Sequence, residues 1–322
     1  MRAVLRDAYG GPEVLRVGEV ATPRPGPGEV LVRVRASSLN TADLDQLRGL
    51  PRIARVEGVR RPRSPHMGLD VAGEVEEVGS GVRDLERGDR VWADLFSHGH
   101  AALADYVRVP ADASSRIPDG VSFVDAATVP HSGLLALQGL RAAAPFRAGT
   151  RVLINGAGGC VGPFAIQLAV SRGAHVTGVD SADKADLMRA AGAHEVIDYV
   201  TEDVTRSGKR YDVVLDIADT RGILAMRRCL KRGGRYSLIA RRLGSFARYV
   251  LAGPLVGRLT GTRMGTILWK PNRRAYLDEF VALLAAGEVR PLIDSTWALD
   301  DAVTAFEHLA SGRARGKVVV VP

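Results

Sequence analysis

Apolar and polar positions alternate in short runs along the first third of the chain, as in Glu29–Arg35, Gly73–Val78 and Arg90–Ala93, and Pro/Gly turns such as Pro23–Gly28 separate them. A period of two bounded by turn residues predicts half-buried strands, and their succession predicts a β-rich, barrel-like domain. From about Val121 the pattern changes. Apolar runs at Arg151–Asn155, Ala174–Val179, Glu195–Ile197, Asp212–Ile217 and Arg235–Ala240 read as strands, with helical stretches between several of them. That alternation predicts a parallel, doubly wound sheet. The tail returns to a helix, Asp300–Ser311, and a strand, Lys317–Val321, which most simply completes the first domain. The predicted fold class is therefore α/β in two domains, residues 1–120 completed by 271–322 and residues 121–270 between them. A length of 322 residues, more than one core usually holds, agrees.

Where the strand at Arg151–Asn155 ends, the chain reads Gly156-Ala-Gly-Gly-Cys-Val-Gly162 and then turns helical. A strand feeding a glycine-crowded turn that opens a helix is a dinucleotide-binding arrangement: Gly159 and Gly162 let backbone approach a pyrophosphate and helix pack on strand. The unpaired amides and positive dipole end of a helix beginning near Val161 face the anion. Pro163 suits the first turn, where its missing N–H has no intrahelical partner. The literal pattern is A-x-G-x-x-G from Ala157, preceded by Gly156, and Asp180 follows Gly162 by eighteen residues, at the end of the second strand. That is where the ribose-binding carboxylate of such a unit belongs. The candidate cofactor residues are accordingly Asn155, Gly156, Ala157, Gly158, Gly159, Cys160, Val161, Gly162 and Asp180.

Composition narrows the partners. The net charge of +8 comes from arginines along the chain, as at Arg60, Arg61, Arg63, Arg227, Arg228, Arg241 and Arg242, without the aromatic interleaving of a nucleic-acid module. It reads as a solvated surface, and no nucleic acid is expected. Two cysteines, Cys160 and Cys229, permit neither a disulfide framework nor a four-cysteine zinc lobe. The first residues lack the apolar core of a signal peptide, and no run reaches the roughly 18 to 20 apolar residues of a membrane span, so a cytoplasmic protein is expected. Between Arg241 and Lys270 the runs Phe246–Ala252 and Leu255–Leu259 are apolar with flanking arginines. This region is expected to contribute to a subunit contact, with peripheral contact to an anionic membrane surface as the alternative.

The ordered set Ser38–Asp43, Gly68–Val75, Val78–Val82, Arg87–Val91, Ala104–Val107, the nucleotide fingerprint and Ser311–Lys317 resembles the medium-chain dehydrogenase/reductase superfamily, in its zinc-independent, quinone oxidoreductase-like branch. The resemblance covers essentially the whole chain. It implies a GroES-like β-barrel catalytic domain formed by both chain ends, a Rossmann domain between, an active site where they join, and a homodimer. It also implies NAD(P)H as cofactor, with Ser181 and Lys184 at positions where NADPH-using relatives bind the phosphate, and with Ile239 and Lys270 at the cofactor. Asp180 favours NADH, because its charge opposes a 2′-phosphate; the choice between the nucleotides stays open.

Zinc-dependent relatives bind the catalytic metal with a cysteine near the first active-site loop and the histidine of a Gly-His-Glu triplet. Here the loop reads Asn40-Thr-Ala-Asp43 and the triplet Gly68-Leu69-Asp70. A leucine coordinates nothing, and no metal is expected. Without a Lewis acid, abstracting hydride from an alcohol is poorly supported, whereas delivering hydride to an already electrophilic quinone or enone needs less help. Asn40 is the expected nicotinamide-positioning residue, with Asp43 and Asp45 as further catalytic candidates. His98, His100 and Lys270 are other candidates for a proton donor, and water is a sufficient source. Asp43, Asp70 and Tyr106 match family positions and serve equally well as structural residues. Thr41 and Leu135 depart from the family's proline and threonine. Two other readings stay open: a cofactor-binding regulator or nucleic-acid-binding relative with little catalysis, and an enoyl reductase for a carrier-bound or lipid substrate.

Overall fold

The structure of the protein, a computed structural model, describes residues 1–50, 58 and 60–322. The chain forms two compact units. The first comprises Met1–Leu134, Lys270–Gly287 and Ile293–Pro322, and the second Leu135–Trp269 and Glu288–Leu292. The first boundary falls later than the change of sequence pattern at Val121. The helix Phe123–Ala127, capped by Ser122, packs on the strands Glu29–Leu39 and Asp70–Val78 of the first unit. Residues 288–292 join the second unit because the Gln167 amide accepts from Arg290 N–H at 2.8 Å and donates to its carbonyl at 2.9 Å.

The alternating runs of the first unit form one sheet. Its order is Ile293–Ala298, Lys317–Val321, Glu29–Leu39, Asp70–Val78, Arg90–Asp94 and Ser114–Arg116, with Tyr106–Pro110 also paired to Glu29–Leu39. All pairs are antiparallel except that between Ile293–Ala298 and Lys317–Val321. The alternation has its expected consequence: Val30, Val32 and Val34 bury against Val71, Val75, Val91 and Val107. Arg33 and Arg35, between them, pair with Glu76 and Glu74 on the outer face. A hairpin of Arg2–Arg6 and Leu15–Glu19, absent from the predicted elements, stands beside this sheet.

The second unit holds six parallel strands in the order Glu195–Asp198, His175–Asp180, Arg151–Asn155, Tyr211–Asp216, Leu230–Leu238 and Arg263–Thr266. Five of them match the predicted strands to within a few residues. The sixth is a short edge strand that reads RMGT, too polar and glycine-broken to announce itself. The helix pair Leu243–Leu251 and Gly253–Thr260 packs against it. The core is continuous apolar packing, including Leu153, Val179, Ile197, Val214 and Leu238.

Candidate functional site

In the second unit, the C-terminal ends of the central strands carry the glycine turn. Gly156 has φ +86°, open only to glycine at low cost, and its N–H and that of Ala157 both bond the Val179 carbonyl, at 2.9 and 3.0 Å. The turn is thereby sewn to the neighbouring strand. The helix then runs Gly162–Val170 with Val161 as its N-cap and Pro163 in the first turn. A Cβ on Gly162 would fall on the Ala157 carbonyl, so glycine is what lets the helix start this close to the strand. A Cβ on Gly159 would meet only the Gly156 carbonyl, at 3.5 Å, and Gly156, Gly159 and Cys160 are partly exposed while Ala157, Gly158 and Val161 are buried. The accessible side of the turn thus lies at the start of the helix, where first-turn amides have no intrahelical acceptor.

Asp180 closes the same turn. Its carboxylate accepts from Gly158 N–H at 2.8 Å and Ser181 N–H at 2.9 Å, and Lys184 Nζ lies 3.9 Å away. The Lys184 stem lies over Gly158, where an added Cβ would come within 2.7 Å of it. Asp180, Ser181 and Lys184 therefore form one cluster with the turn.

Of three other expected cofactor residues, two have buried side chains engaged elsewhere in this unit. The Asn155 side chain is buried and donates to Asp216 at 2.9 Å, which ties two strand ends together and takes its amide away from a ligand. Ile239 is buried, and its side chain lies where a Cβ on Gly139 would come within 3.3 Å of it, in the packing between helix and sheet. Lys270 belongs to the first unit. The residue that sequence reasoning missed is Asp216. Fully buried, it accepts from Asn155, from Tyr236 Oη at 2.7 Å and from Asp219 N–H at 3.1 Å. Burial raises its carboxyl above the usual range against those hydrogen bonds.

The first unit contains a second polar cluster, wholly buried. Lys317 Nζ donates to Asn40 Oδ1 at 2.6 Å and Ser132 Oγ at 3.1 Å, and lies 3.5 Å from Asp70 Oδ2. Ser132 Oγ also donates to Asn40 Oδ1, at 2.8 Å. Asp70 receives Ser38 Oγ at 2.7 Å, Asn40 Nδ2 at 2.9 Å and the His131 N–H at 2.8 Å. Asp94 completes it, 2.9 Å from His131 Nδ1. Burial alone would lower the His131 ring, but Asp94, Asp70 and Asp43 outweigh it and hold it above its usual pKa.

This geometry revises the catalytic expectations. Both ends of the Asn40 amide are engaged inside the cluster, so it is a bound element of a network rather than a side chain offered to a cofactor. Asp43 caps the helix Thr41–Leu47 by accepting from Asn40 N–H at 2.8 Å; burial pushes its carboxyl up to about 7 in spite of that bond. Asp45 stands on the same helix, only partly buried. His98 is exposed, and burial lowers His100 to about 4, which leaves it a neutral ring at physiological pH. Lys317 and Ser132 were not foreseen. A lysine at the start of a terminal strand is ordinarily a surface residue, and its partners Asn40 and Ser132 lie far away in sequence. Cys160 and Cys229 are free thiols.

The family model described as alcohol dehydrogenase GroES-like domain matches residues 26–119, and the one described as zinc-binding dehydrogenase matches residues 191–320. The mitochondrial NAD(P)H oxidoreductase RTN4IP1 of Mus musculus is 32% identical, over 99% of this chain and 89% of that protein. A quinone oxidoreductase of Pseudomonas aeruginosa is 34% identical over 98% of each chain. Among solved structures, the quinone oxidoreductase from Coxiella burnetii superposes with a TM-score of 0.89 at 30% identity, covering 100% of this chain and 99% of that one.

Proposed function

The chain belongs to the medium-chain dehydrogenase/reductase superfamily, in its quinone oxidoreductase-like branch, and from that premise we propose that it reduces a quinone or an α,β-unsaturated carbonyl without a catalytic metal. It is an NAD(P)H-dependent oxidoreductase with a GroES-like domain and a Rossmann-like parallel sheet. A reduced nicotinamide supplies the hydride. The residues present fit that group: the Gly156–Gly162 turn leaves space above Gly159 that a Cβ would fill, and the positive dipole end of the helix Gly162–Val170 begins beside it. Asp180, at the end of the strand beside this turn, would accept from a ribose hydroxyl. Because its charge is shared with two amides and Lys184, its repulsion of a 2′-phosphate is blunted. NADH is therefore accepted well and NADPH tolerated.

Zinc does not fit the donor set. The loop near which metal-using relatives carry a thiolate here reads Asn40-Thr-Ala-Asp43 without a thiol, the Asn40 oxygen already accepts from the Lys317 ammonium, and Leu69 in the triplet is a buried hydrocarbon. A dication there would face a buried ammonium of like charge. The Asn40–Lys317 bond is the observation that carries the metal-free reading. An already electrophilic acceptor then suits the site, and water suffices as proton source.

Oxidation of NADH and NADPH is to be followed against a panel of quinones, alkenals and cyclic enones, with elemental analysis of the same sample. The expected result is turnover with acceptors of this class and no stoichiometric zinc. No oxidation with any acceptor would turn the reading toward a cofactor-binding regulator. One zinc per chain, lost together with activity on chelation, would overturn the metal-free site.

A further inference from the structure

The arginines run throughout the chain, but the acids do not. Residues 220–269 contain eleven Lys or Arg and not one Asp or Glu, so this segment carries +11 in a chain whose net charge is +8. Within it lies the helix pair Leu243–Leu251 and Gly253–Thr260. Positions 243, 247, 250 and 251 recur at helical spacing and are all apolar, the stripe by which an amphipathic helix usually faces a core. Here the stripe faces solvent. Leu243, Ala247, Val250 and Leu251 are exposed, and the buried residue is Tyr249, stacked on Tyr236 at 4.9 Å. Leu255 and Leu259, one turn apart on the second helix, are exposed as well.

The leucines cannot turn inward. The second helix is seated on backbone: a Cβ on Gly253 would come within 2.5 Å of the Met264 carbonyl, and one on Gly257 within 2.7 Å of the Thr262 carbonyl. Glycine on the inner face fixes which side looks out, and that side exposes Leu251 by 78%, Leu255 by 60% and Leu259 by 76%. Arg242, Arg248 and Arg258 are exposed around them. In sequence, Arg248 is one turn from Leu251, and Arg258 one turn from Leu255.

We propose that this helix pair docks the protein on the surface of an anionic lipid bilayer, with Leu251, Leu255 and Leu259 entering the interface and the arginines meeting phosphate headgroups. Exposed leucines on a helix pair with no groove of their own to fill suit a fluid interface that shapes itself to them, and the cationic rim selects anionic lipid. A second copy of the chain is disfavoured, since it would bring two acid-free cationic segments together. No helix among the described residues is long and apolar enough to cross a membrane, so the contact is peripheral.

The test is co-sedimentation of the full chain with phosphatidylcholine vesicles, with and without phosphatidylglycerol, at low and high salt. Binding is expected only where phosphatidylglycerol is present, and it weakens with salt. Arg248→Gln with Arg258→Gln lowers the partition coefficient about 30-fold, taking roughly 1 kcal/mol per basic residue and 1.36 kcal/mol per tenfold. Leu255→Ser with Leu259→Ser lowers it too, at an unchanged melting temperature. Absence of binding at low salt, or equal binding to both vesicles, would overturn the proposal. So would serine variants that turn a dimer into a monomer in light scattering while the parent ignores vesicles, because the surface would then be a subunit contact.

Discussion

A buried ammonium is held in place only if its surroundings repay lost hydration. At 3.5 Å and an effective dielectric near 20, the attraction between Lys317 and Asp70 is about 5 kcal/mol. The desolvation penalty is several kcal/mol for each of the two ions, so the pair by itself does not repay it. What decides is the remaining hydrogen bonds to Asn40, Ser132, Ser38 and the His131 N–H. Lys317→Met leaves the Asp70 carboxylate buried without its cation and should cost about 3 to 5 kcal/mol in urea unfolding. Adding Asp70→Asn should recover part of that loss. A single variant within about 1 kcal/mol of the parent would mean the cluster does not hold the unit together. Asp43 makes a pH prediction. Its folded pKa, raised to about 7, lies above the ordinary aspartate value of about 3.9, so the native state binds the extra proton. Its contribution to stability is fully present below about pH 4 and is lost as pH rises through 7. Comparing unfolding free energies of the parent and Asp43→Asn across that range should show a steeper decline in the parent, since His131 and Asp216 titrate in both. Parallel curves would show that Asp43 does not titrate there. None of these partnerships was readable in the sequence. Asn40, Asp43 and Asp70 stood in recognisable motifs, yet the cation that binds them comes from the far end of the chain and the hydroxyl from Ser132.

At the level of elements, the glycine turn separates packing from ligand space. Gly162→Ala drives a Cβ onto the Ala157 carbonyl and should destabilise the fold by roughly 1 to 3 kcal/mol or more. Gly159→Ala meets only one atom, at 3.5 Å, and should leave the melting temperature nearly unchanged while weakening nucleotide binding about tenfold, or ~1.4 kcal/mol. Calorimetric titration with NADH and NADPH checks both. Equal losses of affinity and stability in the two variants would erase the distinction. Asp180→Ser removes a carboxylate from the same turn and should raise the NADPH-to-NADH ratio of kcat/KM; an unchanged ratio would show that Asp180 does not read the 2′ position. The turn and most strands were legible because each rests on local spacing: glycines where backbone must approach, apolar runs where both faces are covered. The hairpin at Arg2–Arg6 and Leu15–Glu19 and the edge strand Arg263–Thr266 were not, because their pairing partners rather than their own composition make them strands. The outward-facing stripe of Leu243–Leu251 inverts the usual reading of periodicity, since only the packing beneath it shows which face is covered.

For the whole molecule, both chain ends build the first unit and the second is nearly continuous. The exact seams depend on contacts such as Gln167 with Arg290, which periodicity does not report. The central claim is hydride transfer from NAD(P)H to an electrophilic acceptor without a catalytic metal. It is tested most directly by dialysing the protein against a chelator and giving it nicotinamide nucleotide deuterated at the transferred position, together with a cyclic enone or a quinone. The account predicts undiminished turnover with a primary isotope effect, and deuterium on the β-carbon of the enone product. Activity that disappears on dialysis and returns with added zinc, or an enone product without transferred deuterium, would contradict it.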